Sequence, residues 1–171
     1  MTTRPVMLDT SFLIAYADPD REHHSVAKAY FREAIRLNLP LLLSTLVVAE
    51  FERKQPLSDL GLRNFRVVPF NFDDGQEAAR LAEQLFPKDA DNDRVCLAAD
   101  VKIVAQAKRA GAVVILTEDQ KTMAKYVDGL RDKGLVDCYP VLTKDGFDAG
   151  RLTNPASPGL LFGYQDPEAV A

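Results

Sequence analysis

The alternation of apolar and polar positions divides the chain into short apolar runs separated by longer stretches of helical period. Val6 to Leu8, Leu41 to Leu43, Arg66 to Phe70, Val113 to Leu116 and Val136 to Val141 are brief and rich in leucine or β-branched residues, which predicts strands. His24 to Leu37, Leu46 to Arg53, Asp74 to Phe86 and Arg94 to Ala110 repeat apolar residues every three or four positions, and Gln120 to Lys133 reads as a charged helix. Asp73 or Asp74 supplies a cap for a helix whose first turn contains Glu77, Gly111 supplies a stop after Ala110, and Pro40 and Pro87 mark further breaks. Strands alternating with helices predict an α/β fold with a mostly parallel sheet covered on both faces.

From Thr143 onward the periodicity fades into turn signals, among them Asp145-Gly146, Asn154-Pro155 and Ser157-Pro158-Gly159. This segment is expected to be an arm. Its apolar cluster is Leu160, Leu161, Phe162 and Tyr164, which suits docking on the same domain or on a second subunit.

Four carboxylates interrupt the apolar pattern. Asp9 ends the run Val6 to Leu8, Glu50 lies on the stripe of Leu46, Val47 and Phe51, Asp100 interrupts Leu97, Ile103, Val104 and Ala107, and Asp119 follows Val113 to Thr117. A buried carboxylate is costly without a cation or hydrogen-bond donors, so several from distant parts of the chain suggest a shared cation. Ligands of an open parallel sheet collect beyond the carboxyl ends of its strands, where Asp9 and Asp119 are expected. Glu50, four residues after Leu46, and Asp100, four before Val104, project from helix faces that otherwise pack inward.

Composition narrows the classes. At 171 residues the chain fits one domain, and 47% apolar with 27% charged residues is the balance of a soluble globular protein. The absence of a long apolar run, together with an N-terminus that enters Val6 directly, predicts a cytoplasmic protein without a membrane span. Two cysteines, Cys96 and Cys138, build neither a disulfide framework nor a thiolate zinc site and read as small apolar side chains. The net charge of −4 leaves room for local basic patches beside an acidic cluster.

Taken in order and spacing, five segments resemble the PIN-domain family of metal-dependent nucleases, and within it the VapC-type toxins. They are Val6 to Ala15, His24 to Ala27, Ser44 to Phe51, Asp100 to Ala107 and Leu116 to Asp119. The resemblance implies a three-layer α/β/α sandwich with a parallel sheet of about five strands. It also implies a nuclease domain over residues 1–142, with 143–171 as a C-terminal extension that is not an independent domain. Position by position, Asp9, Glu50, Asp100 and Asp119 match the family's acidic quartet for Mg2+ or Mn2+, and Ser11 and Thr117 match its supporting hydroxyls. RNA as substrate, a cognate antitoxin as partner and a homodimer complete what the family implies. Two departures stand out: Lys121 occupies a position where many relatives carry a further acid, and the tail from Thr143 has no counterpart in compact members.

The chemistry this implies is hydrolysis of RNA phosphodiester bonds by an endoribonuclease. Asp9 and Asp100 are expected as principal ligands, Glu50 and Asp119 as completing ones, and Glu50 as the group that orients the attacking water. Arg21, Lys28, Arg32, Arg53, Lys54, Lys121 and Lys125 are the cations available to phosphate. His23 and His24 read as a helix opening rather than as an acid and base. Two alternatives are weighed against this: a noncatalytic PIN-like RNA-binding or scaffold module, and a calcium loop through Asp89, Asp91, Asp93 and Asp100. The loop fails at its glycine position, which is Arg94.

Overall fold

A computed structural model of the chain describes residues 4–86 and 99–156. Asp89, Asp91, Asp93, Cys96, the expected beginning of the helix at Arg94 and the Leu160 to Tyr164 cluster lie outside the described residues.

The five expected strands all form: β1 (Val6–Leu8), β2 (Leu41–Ser44), β3 (Phe65–Val68), β4 (Val114–Thr117) and β5 (Tyr139–Leu142). They make one parallel sheet in the order β3-β2-β1-β4-β5, with Leu8 in register with Leu43 on one side and Leu116 on the other. The three residues of β1 and the four of β2 and of β4 are buried. A strand covered on both faces gains by being apolar at every position, so these runs lack the alternation of a half-exposed sheet. The helices are α1 (Thr10–Ala17), α2 (His24–Arg36), α3 (Thr45–Phe51), α4 (Phe72–Leu85), α5 (Ala99–Arg109) and α6 (Lys125–Asp132). Helix α1 packs on α2 and α3, and α4 packs on α5 and α6, giving the three-layer α/β/α arrangement.

The structure adds α1, which the helical period does not reveal. Its sequence Thr-Ser-Phe-Leu-Ile-Ala-Tyr-Ala is apolar nearly all round, so no stripe distinguishes one face. The cap of α4 also differs from expectation: Asn71, not Asp73 or Asp74, occupies that position. Its side chain accepts from the Asp74 N–H at 3.1 Å, while the Asp74 carboxylate accepts from the Asn71 N–H at 3.0 Å. Asp74 is thus the reciprocal partner inside the helix. Gly111 does terminate α5, at a φ of +68° that a side chain would strain.

Asp74 has a second duty. Buried between α4 and α5, it accepts from Arg109 Nε at 2.9 Å and from the Gln106 amide at 3.4 Å. Gln106 also donates to Pro69 O at 3.1 Å and accepts from Ser44 Oγ at 2.5 Å, joining α5 to the end of β2. Asp74→Ala is therefore expected to cost about 2 kcal/mol, as the capping box loses its inner member and Arg109 and Gln106 lose a shared buried acceptor; urea denaturation measures it.

Residues 143–152 are two short 3-10 turns docked on α2. The buried Tyr30 holds them, its hydroxyl donating to Gly146 O at 3.1 Å and accepting from Asp148 N at 3.2 Å. Cys138 is buried just before β5, and burial pushes its thiol up to about 12, which suits the role of a small apolar side chain. Among the described residues no helix is long and apolar enough to cross a membrane.

Candidate metal centre

The chain leaves β1 and enters β2 on one side of the sheet, but it leaves β3 and returns on the other side of β1 to form β4. Beyond the carboxyl ends of β1 and β4, where these directions diverge, a crevice opens. Asp9 and Asp119 both emerge there, each accepting backbone N–H groups at the start of the turn that follows its strand. Glu50 reaches the same place from the last turn of α3, and Asp100 from the first turn of α5. All four line one open cavity of about 650 Å3, with Thr10, Ser11, Ile14, Arg53 and Lys54 completing its wall.

Asp9 is the most enclosed, at 4% exposure. Its Oδ1 accepts from Thr10 N at 2.7 Å, and its Oδ2 accepts the hydroxyls of Ser11 at 2.5 Å and Thr117 at 2.7 Å. Those hydroxyls in turn accept backbone N–H groups, Ser11 Oγ from Glu118 at 2.8 Å and Thr117 Oγ1 from Asp119 at 2.9 Å. Each hydroxyl spends its single proton on Asp9, so the two oxygens, 3.1 Å apart, meet as a packing contact. Ser11 and Thr117 thereby fix the Asp9 carboxylate and tie the end of β1 to the end of β4. The Thr10 hydroxyl donates outward to Glu50.

Thr122 carries no signature in the sequence, yet its hydroxyl reaches the centre. A π-helical turn, Gln120–Ala124, follows Asp119, with Ala124 N bonded to Asp119 O at 3.0 Å across five residues. The wider turn brings the Thr122 hydroxyl onto Asp119 Oδ2, and its N–H onto Oδ1 at 3.0 Å beside that of Lys121 at 2.8 Å. The same hydroxyl faces Asp100. Lys121 is exposed and outside the cavity lining. Neither residue of the pair announces this in sequence, because the extra residue of a π turn shifts which position faces inward.

Burial drives the Asp9 carboxyl above its ordinary value, against the hydrogen bonds from Ser11, Thr117 and Thr10. Asp100 is raised as well, first by burial and then by the negative charges of Asp9, Asp119 and Glu50, with Thr122 opposing. Asp119 goes the other way: burial lifts it, but the Thr122 hydroxyl and the N–H groups of Thr122, Lys121 and Met123 together outweigh that and hold it low.

The charges of Asp9, Asp119 and Glu50 oppose ionisation of Asp100, a repulsion that a hard divalent cation would offset, and all four side chains offer oxygen donors. Among the described residues no three acidic, histidine or cysteine side chains already form a closed ligand cluster. Thr10 holds Glu50 and Thr122 holds Asp119. The residues therefore fit such a cation as an open site, in which these hydroxyls would keep the carboxylates oriented toward it.

A pH dependence follows. Without metal, folded Asp9 and Asp100 keep protons that the unfolded chain has released, so stability falls as pH rises from about 3.8 through their raised values and then levels off. Asp119, held low, contributes stability that is lost only below about 3.8. Added Mn2+ is expected to raise the melting temperature on the high-pH side of that window and to lose its effect on the low-pH side; thermal melts across pH 3 to 8 check it.

Of the other expected cations, Arg21 lines an adjoining cleft and pairs with Glu118 at 3.4 Å, while Lys28, Arg32, Lys121 and Lys125 do not line the cavity. Nor do the histidines: His24 Nδ1 donates to Ala15 O at 2.9 Å, pinning the start of α2 to α1.

No curated protein matches the chain. Among solved structures, it resembles a chain of VapBC2 from Rickettsia felis bound to a DNA fragment of its promoter, at 15% identity and a TM-score of 0.52, covering 80% of this chain and 97% of that one. It also resembles a chain of DNA-bound VapBC from Salmonella typhimurium, at 16% identity and TM-score 0.50, covering 82% and 99%. A third is VapC20 of Mycobacterium tuberculosis, a toxin that cleaves the sarcin-ricin loop, at 18% identity and TM-score 0.50, covering 79% and 99%. At these identities the likeness concerns the fold. The sequence itself matches the PIN domain family model over residues 6–129, a span that runs from β1 through Asp9, Glu50, Asp100 and Asp119 into α6, and the chain belongs to the PIN domain family.

Proposed function

We propose that this protein is a Mg2+- or Mn2+-dependent endoribonuclease that hydrolyses RNA phosphodiester bonds, and that it serves as the toxin of a toxin and antitoxin pair. The observation that carries the reading is the meeting of Asp9, Glu50, Asp100 and Asp119, from four separate elements, in one open cavity rimmed by Arg53 and Lys54. The VapBC complexes among the structural neighbours support an antitoxin partner.

Asp9 and Asp100 would be the principal ligands, with Glu50 and Asp119 completing the site. A divalent cation bound there supplies a more acidic water and neutralises charge that develops on the phosphate. Glu50, steadied by Thr10, orients the attacking water and takes its proton as the water oxygen bonds to phosphorus and the ester P–O bond breaks. Arg53 and Lys54 hold the phosphate against four negative neighbours. Ser11 and Thr117 keep Asp9 pointed into the cavity.

The test is cleavage of RNA by the purified protein with Mg2+ or Mn2+, stopped by EDTA, together with growth of cells expressing wild type or Asp9→Asn. The expected result is cut RNA and arrested growth for wild type only. RNA binding without cleavage would instead assign a noncatalytic RNA-binding module.

A further inference from the structure

A second cleft, about 350 Å3, adjoins the acidic cavity and shares two wall residues with it, Ile14 and Lys54. It lies between the end of α1 with the loop that follows and the turn after α3. Its floor is apolar, made by Ile14, Ala17 and the buried Phe51, and its edges carry Arg21, Lys54 and Gln55. We propose that this cleft is a subsite for one nucleobase of single-stranded RNA, the base next to the phosphodiester held over the acidic centre. The inference rests on the nuclease reading and adds to it where sequence preference would arise.

Three features point to that occupant. Continuity through Ile14 and Lys54 puts the cleft one step along any strand whose phosphate sits over the acids. Charge is complementary: among the described residues Lys54 has no ion-pair partner, so its ammonium is available to the intervening phosphate. Single-stranded RNA is recognised by laying bases on apolar or guanidinium surfaces and reading their edges with hydrogen-bonding side chains. Ile14 and Ala17 offer the apolar surface, and Arg21, anchored by Glu118 at 3.4 Å, offers a planar guanidinium. The Gln55 side-chain amide carries both a donor and an acceptor, and makes no hydrogen bond within the described residues. Asp18 also lines the cleft, its Oδ1 occupied by the Asp20 N–H at 3.0 Å. It disfavours a phosphate there, which leaves the base as the better fit.

The experiment uses the full chain carrying Asp9→Asn, so that RNA is bound but not consumed, and a set of short single-stranded RNAs that differ at one position. Binding is measured by fluorescence anisotropy with and without Gln55→Ala or Ala17→Phe. In parallel, the two substitutions are placed in the otherwise unaltered protein and their cut sites are mapped on a randomised RNA. Weakening of about fivefold or more, confined to some bases, with a shifted cut-site preference, supports the subsite. If the protein binds and cuts RNA but Gln55→Ala leaves base preference unchanged, the subsite is wrong while the nuclease reading stands. If the unaltered protein neither binds nor cuts RNA, both fall. Gln55→Ala decides the matter should Ala17→Phe fail to fold, a point that thermal melts settle.

Discussion

Asp100→Asn is expected to raise the melting temperature of the metal-free protein by about 2–4 °C and to lower its metal-dependent RNA cleavage about a hundredfold to a thousandfold. The two effects have one cause. Asp100 is a half-buried carboxylate facing three others, and both desolvation and their charges oppose its ionisation. An asparagine of the same shape removes the repulsion and leaves the Thr122 hydroxyl on Asp119. What it removes at the same time is a negative oxygen donor that a divalent cation needs. Sites built for function hold such unfavourable charge, and neutralising it commonly stabilises the fold. Melting curves with and without Mn2+ make the comparison: wild type should gain from the metal and Asp100→Asn should not. A variant that melts lower than wild type without metal would show that the charge is compensated within the protein, and the metal assignment would lose its main physical support.

Thr122→Val should weaken Mn2+ binding about 10- to 100-fold with little change in melting temperature. Valine preserves the size of threonine but has no hydroxyl, so Asp119 keeps the backbone N–H groups of Lys121, Thr122 and Met123, and Asp100 loses the hydroxyl that opposes its raised value. Without that shared tether the two carboxylates no longer hold a common orientation toward the cavity. Thr122→Ser, which restores the hydroxyl, should recover most of the affinity. Calorimetric titration with Mn2+ measures both, independently of turnover. Equal binding by wild type and Thr122→Val would remove the positioning role and return Thr122 to ordinary turn chemistry.

Legibility in the sequence followed how much each residue depended on local context. Val6 to Leu8 and Val113 to Leu116 announced strands because a doubly covered strand needs continuous apolar sequence, and Asp9 stood out against that background. Glu50 and Asp100 were visible as acids on apolar helix faces. Helix α1 is invisible for the opposite reason, since a sequence apolar on nearly every face has no stripe to mark the helical period. The cap at Asn71 turned on which of three neighbouring polar residues has an extended backbone, a matter settled by how the chain leaves β3. Thr122 required knowledge of the π turn, because by ordinary helical spacing Lys121 and Thr122 are equally plain members of a charged segment. Arg53 and Lys54 were candidates among seven cations, and only the packing of α3 on α1 singled them out.

The pair of hydroxyls joining Asp9 to the end of β4 also sets when the centre can exist. Thr117 and Asp9 are 108 residues apart in sequence, and Ser11 and Glu118 are 107 apart. Contacts of such separation form late, after the loop entropy of most of the chain has been overcome. A nascent chain that has made only the first three strands carries Asp9 and Glu50 but none of the donors from β4, so it holds no partial centre. The acidic site is completed by the pairing of β1 with β4, the widest in sequence among the strand pairs described, and a chain interrupted before Thr117 lacks Asp119 and both donors from the end of β4.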